Sequence, residues 1–198
     1  MEQPIFIFSS EQYIWFQDEA RVGQRGTLTR TWAKKETRPR LTRQQQFEYA
    51  YIFGAVCPKT NQSVGLVLPA ANSNAMLVHL EEISKNIPKG RYGVVVLDGA
   101  TWHKAKKIRV FNNLSVLVLP PASPELNPVE QIWQQLRDNW LANRCYDGYE
   151  AILDACCHAW NWFVDLPGKF TSFAQDRGLF YDFNFGKWYK FCFIHFSS

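Results

Sequence analysis

The sequence predicts one α/β domain built on a mixed central sheet, an antiparallel meander plus parallel strands, flanked by helices. Three observations carry that expectation. Val94-Val95-Val96-Leu97 is an apolar run, three of its four residues β-branched, and it stops at Asp98-Gly99. Such a run reads as a strand buried on both faces, whose C-terminal end delivers Asp98 to a crevice. Second, Leu114–Leu119 is another apolar strand, broken at Pro120-Pro121 and followed by a proline-punctuated loop and a helix carrying Glu130. Third, the hydrophobic period changes from alternation to helical spacing after about residue 72.

Taken in order, residues 1–11 form a lead-in without a clear period. Tyr13 to Gln17 is short, aromatic and β-prone, and Asp18 closes it. Gly23 and Gly26 punctuate a turn, and the alternation of residues 27–33 (TLTRTWA) predicts a second strand. Arg38-Pro39-Arg40 forces extended backbone and a loop. Glu48–Val56 is a third strand, and Ser63–Leu68 extends the β region after the turn at 58–61. Together the first three strands read as an antiparallel meander.

Met76, Leu77, Leu80 and Ile83 follow helical spacing, with Asn72, Ser73 or Asn74 as N-cap and Pro88-Lys89-Gly90 as the stop. The Val94–Leu97 strand comes next, then a short helix or turn through Lys104–Phe111, then Leu114–Leu119. Pro128 suits the first turn of the following helix, whose apolar stripe is Ile132, Trp133, Leu136 and Trp140. A last helix spans about Tyr149–Trp162, burying Ile152, Leu153, Cys156, Trp160 and Phe163. The order is βββαβαβαα. Residues 176–198 are aromatic-rich and carry neither period.

Composition bounds the function classes. At 198 residues, 46% of them hydrophobic and 16% aromatic, the chain can bury one real core. No apolar run approaches the roughly 20 residues that span a bilayer, and the N-terminus lacks the pattern of a secretory signal. Five cysteines without a CxxC pair argue for thiols in a reducing compartment, so a cytoplasmic location is expected, with no membrane.

Net charge is +4, unevenly spread. Residues 21–43 hold Arg21, Arg25, Arg30, Lys34, Lys35, Arg38, Arg40 and Arg43 against Glu36 alone, which is +7 and leaves about −3 elsewhere. A local excess directly after Asp18 favours a polyanion held by its backbone. The plainer alternative is a solvated basic face.

Asp18, Asp98 and Glu130 each lie at or beside the end of a core element and are expected to form one site. Three carboxylates brought together repel one another, and a hard divalent cation relieves that repulsion. Two such ions, about 3.5–4 Å apart, can clamp an in-line displacement at phosphorus. A carboxylate set without a Ser/His or Cys/His arrangement, beside a basic segment, suits a metal-dependent nuclease or strand transferase.

Three motifs, FQDEARVGQRG, VLDGATWHKAKK and LPPASPELNPVEQIW, resemble in order and spacing those of the mariner-related bacterial insertion-sequence transposases of the DDE endonuclease superfamily. The resemblance covers about residues 12–175, and SPELNPVEQIW is its most specific piece. It implies an RNase H-like fold for 12–175, with 176–198 as an irregular tail. By motif position it makes Asp18, Asp98 and Glu130 both catalytic residues and ligands of two Mg²⁺ or Mn²⁺ ions. The implied reaction is cleavage at inverted-repeat transposon ends and strand transfer into target DNA at TA dinucleotides, by a homodimer.

Two features depart from the family. Ala122 stands where relatives usually have an aromatic. Nothing before Asp18 reads as the helix-turn-helix region with which relatives recognise DNA ends, so a separate helix-turn-helix polypeptide or a catalytic fragment is expected. The interval between Asp98 and Glu130 is also slightly shorter than in mariner-like relatives.

Each residue has a plainer reading. Asp98 could be a turn former or cap. Glu19 neighbours Asp18 but points to the other face of the strand, and Glu125 competes with Glu130 from a loop, a poorer platform than a helix. Arg21, Arg25, Arg30, Lys34 and Lys35 are the expected DNA contacts. His103 and Lys104 are either DNA contacts or surface groups. Trp102, Trp133 and Trp140 read as core, Cys156-Cys157 as a buried thiol pair on a helix, and Asn127 as a group that orients its loop through backbone hydrogen bonds. Two rival functions remain: a junction-resolving nuclease on the same fold, and an inactive mobile-element remnant that only binds DNA.

Overall fold

The computed structural model describes residues 12–25, 34–36, 44, 46–99, 111–120 and 127–166. Within them, five strands form one mixed sheet in the order β3-β2-β1-β4-β5. The strands are β1 (Tyr13–Gly23), β2 (Tyr49–Cys57), β3 (Gln62–Leu68), β4 (Gly93–Leu97) and β5 (Leu114–Val118). β1, β2 and β3 pair antiparallel, whereas β4 runs parallel to β1 and β5 parallel to β4. The expected mixed sheet is thus present, with β1 at its centre. The strand read at residues 27–33 and the short helix before Phe111 lie outside the described residues, as do the lead-in and the C-terminal tail.

One expectation is corrected. Asp18 does not close β1; the strand continues to Gly23. The antiparallel partner explains the extension, because β2 pairs with β1 from Phe16 to Gly23. β4 pairs with β1 only from Tyr13 to Phe16. Beyond Phe16, β1 has a described neighbour on its β2 side alone, and Asp18 stands where the parallel pairing has just ended.

Helices cover both faces. α1 (Ser73–Asn86) packs against β2 and β3 with Met76, His79, Leu80 and Ile83 buried. Its N-cap is Asn72, whose side-chain oxygen accepts from the backbone N–H groups of Asn74 and Ala75 at 3.0 Å. The core on this side gathers Trp15, Phe53, Val95 and Leu97. On the opposite face lie α2 (Val129–Leu136) and α3 (Tyr149–Asp165), burying Ile132, Trp133, Leu136, Ile152, Cys156 and Phe163 against Phe16, Ile52 and Val96. The alternation of β1 assigns odd residues to the α1 face and even ones, Asp18 among them, to the α2/α3 face.

α2 passes directly into a π-helical turn, Arg137–Leu141. Trp140 lies in that turn, half-buried, with its ring 4.5 Å from His158 and 5.6 Å from Trp162. Of the paired thiols, Cys156 is buried and Cys157 exposed, since successive helix residues point 100° apart. Gln24 and Gln44 meet at one corner of the sheet, where the Tyr146 carbonyl accepts from Gln24 Nε2 at 3.1 Å and Gln44 Nε2 at 2.8 Å, tying both to the lead-in of α3. Among the described residues, no helix is long and apolar enough to cross a membrane.

Candidate active site

Three elements converge on Asp18. The register of β1 and β4 aligns Phe16 with Val96. Asp18 and Asp98 each lie two residues beyond that last pair, at the same end of the sheet. Asp98 follows the last residue of β4, where five consecutive buried residues force the strand through the core and release it into solvent.

Glu130 enters from the N-terminus of α2. Pro128 holds the cap position at φ −64°, ψ −17°, so its ring starts the helix instead of breaking it. An acid in a first helical turn also faces the unpaired N–H groups there, a favourable location. Asn127 ties this helix start to the sheet. Its Nδ2 donates to the Gln17 carbonyl at 2.8 Å, and its Oδ1 accepts the Val129 N–H at 3.2 Å. The backbone role expected of Asn127 is present.

Asp18 is buried, while Asp98 and Glu130 are exposed. Burial, then the charge of Glu130, then more weakly that of Asp98, raises the Asp18 carboxyl to about 7; hydrogen bonds from Trp133 and the Glu19 N–H pull the other way. The two flanking acids therefore lie close enough to Asp18 to oppose its ionisation. Among the described residues no three His, Cys, Asp or Glu side chains stand close enough together to enclose an ion as they are.

Trp133, read from sequence as core, is indeed buried, but its Nε1–H also donates to Asp18 Oδ2 at 2.9 Å. The available signal was its spacing: Glu130 and Trp133 are three apart and share a helix face. A second missed feature lies beneath it. Asp18 pairs with Gly54, and Gly54 with Gly65, so two glycines extend the row from Asp18 across the sheet. A Cβ on Gly54 would come within 2.6 Å of the Trp133 ring and 2.8 Å of the Trp160 ring; one on Gly65 would meet Trp160 at 2.2 Å. Glycine there lets both indoles lie on the sheet, their centroids 6.0 Å apart.

Of the basic residues, Arg21 and Arg25 are exposed. The Arg21 guanidinium lies 4.7 Å from the Tyr49 ring and that of Arg25 lies 4.0 Å from the Phe47 ring. Arg21 is an odd residue of β1 and belongs to the α1 face, opposite Asp18. Glu19 shares that face, accepting a 3.4 Å hydrogen bond from Gln17 Nε2. Lys34 and Lys35 are exposed. Arg30, His103, Lys104 and Glu125 lie outside the described residues.

Residues 13–152 match the profile of the DDE superfamily endonucleases. The chain belongs to that family. It is 50% identical over 124 residues to the uncharacterized protein y4pE/y4sA of Sinorhizobium fredii, covering 63% of this chain and 92% of that protein. Over 165 residues it is 22% identical to the uncharacterized 39 kDa protein of insertion element IS630 from Shigella sonnei, covering 81% of this chain and 48% of that one.

The fold of this DDE superfamily member is similar to that of the chain in the Mos1 strand transfer complex, with a TM-score of 0.59 at 17% identity over 80% of this chain and 49% of that one. The Mos1 mariner paired-end complex with Mn gives 0.59 and 17% over 80% and 50%. The chain thus spans about half the length of the IS630 and Mos1 proteins. The five-stranded mixed sheet with its flanking helices is the RNase H-like arrangement, and residues 13–152 make it a DDE superfamily endonuclease domain.

Proposed function

We propose that this domain cleaves DNA strands at transposon ends and transfers them into target DNA, with Asp18, Asp98 and Glu130 as its catalytic carboxylates. The observation that carries this reading is the convergence of Asp98 and Glu130 on buried Asp18, whose carboxyl both acids raise. All three lie within residues 13–152, the stretch that matches the family.

The donor chemistry fits a divalent cation. Its ligands would all be carboxylate oxygens, the type preferred by Mg²⁺ and Mn²⁺, and a cation would offset the repulsion that keeps Asp18 from ionising. Solved Mos1 complexes with Mn and with Mg support divalent metal use by this domain. We assign Asp18, Asp98 and Glu130 as the residues that would hold two such ions. When bound, such ions supply Lewis acidity to the attacking and leaving oxygens of a phosphodiester.

The chain's own part is orientation. β1 carries Asp18, β4 releases Asp98 directly after its last residue, and the Asn127 link to Gln17 holds the start of α2, which carries Glu130. Exposed Arg21, Arg25, Lys34 and Lys35, with Arg30, His103 and Lys104, supply charge for the DNA backbone. A homodimer and a separate helix-turn-helix polypeptide belong to the same reading, as does action in the bacterial cytoplasm.

The test is nicking of supercoiled plasmid in Mg²⁺, Mn²⁺ or EDTA by wild type, Asp18→Asn, Asp98→Asn and Glu130→Gln. Metal-dependent nicking that disappears in each variant is the expected result. Nicking that persists in all three would overturn the assignment.

A further inference from the structure

The hydrogen bond from Trp133 to Asp18 joins two groups that need not meet for the core to form. Trp133 already fills space between α2, Trp160 and the sheet, and a phenyl ring would fill most of it. What only the indole supplies is an N–H, and that N–H is spent on Oδ2 of the buried carboxylate at 2.9 Å. The contact is built from two sides: α2 supplies the donor one turn after Glu130, and Gly54, the strand partner of Asp18, leaves room for the ring to approach the sheet. The Trp160 ring packs beside the indole, 6.0 Å away between centroids.

We propose that Trp133 is a positioning residue: its N–H engages one carboxylate oxygen of Asp18 and fixes the rotamer, so that the other oxygen is aimed at a divalent ion. This rests on the reading of Asp18 as a metal ligand. It follows the general behaviour of metal sites, in which a group that bonds to a ligand orients it and sets the affinity of the site.

The test measures Mn²⁺ binding to the metal-free full chain, read from the electron paramagnetic resonance of free Mn²⁺, in wild type, Asp18→Asn, Trp133→Phe and Trp160→Phe. Trp133→Phe keeps an aromatic ring in the stack and removes the N–H. Trp160→Phe perturbs the same stack without touching Asp18. The expected result is Mn²⁺ affinity weakened about tenfold or more by Trp133→Phe, unchanged within twofold by Trp160→Phe, and weakest in Asp18→Asn. The Mg²⁺ needed for half-maximal nicking should rise in parallel in Trp133→Phe, more than the rate at saturating Mg²⁺ falls.

Equal weakening by both tryptophan variants would make Trp133 a packing residue and overturn the inference. So would wild-type affinity in Trp133→Phe. Wild-type affinity in Asp18→Asn would instead remove the metal-ligand reading on which the inference stands. Should Trp133→Phe not fold, the wild-type indole N–H resonance of Trp133 replaces it: a shift on adding Mg²⁺ that is lost in Asp18→Asn supports the inference, and an unmoved resonance overturns it.

Discussion

Asn127 donates its side-chain N–H to the carbonyl of Gln17, the residue before Asp18, across 110 positions of sequence at 2.8 Å. The same side chain accepts the Val129 N–H. One buried amide thus joins the first turn of α2 to the strand that carries Asp18, and the relative placement of Glu130 and Asp18 depends on it.

Asn127→Ala removes both bonds at a buried location. An unsatisfied buried polar group costs about 1–3 kcal/mol, so the urea midpoint should fall accordingly. Asn127→Asp keeps an acceptor for the Val129 N–H and loses the donor to Gln17. Its urea midpoint should also fall below wild type, and a midpoint equal to wild type would show that the strand link contributes little.

Asp18 makes the metal-free protein less stable as pH rises. Its folded carboxyl, at about 7, lies above the ordinary value of 3.8. The folded state therefore binds the proton more tightly, and this contribution is complete below about pH 4 and lost as pH climbs through 7. At 1.36 kcal/mol per unit, the loss by pH 8 is roughly 4 kcal/mol. Asp18→Asn should melt several degrees above wild type at pH 8 and close to it at pH 4. Added Mg²⁺ should raise the Tm of wild type at pH 8 and leave that of the variant unchanged.

His79 should produce the opposite slope. It is fully buried, with Nε2 3.3 Å from the Val64 carbonyl and Nδ1 without a partner among the described residues. Burial lowers its pKa from 6.5 to about 4. The unfolded chain takes up the proton first, so stability falls as pH drops from 6.5 to 4, by roughly 3 kcal/mol. His79→Gln, neutral throughout, should lose less Tm than wild type between pH 7 and pH 4.5.

The glycine row should be intolerant where it supports the indoles and tolerant beyond them. Gly65→Ala sets a Cβ within 2.2 Å of Trp160, and overpacking of this kind costs about 1–3 kcal/mol. At Gly99 the nearest atom is the Leu119 carbonyl oxygen at 3.7 Å, an ordinary contact. Chemical denaturation should show a lowered midpoint for Gly65→Ala and little change for Gly99→Ala.

The sequence alone determined the α/β class, the β4 strand and the acid after it, α1 with its cap narrowed to Asn72, Ser73 or Asn74, and the start of α2. It could do so because these features are local. A run of β-branched residues, a cap and a proline at a helix start act within a few positions of themselves. The resemblance of three motifs added the family, since the order of acids along a chain is visible without coordinates.

Only the tertiary structure decided where β1 ends, because that depends on β2 pairing with it from some thirty residues away. It also decided that Trp133 serves Asp18 as well as the core. Periodicity reports which face of α2 is buried, and both roles require the same face. The partner of an indole N–H, and the glycine that lets it approach the sheet, belong to strands remote in sequence. Their joint placement exists only once the sheet has formed.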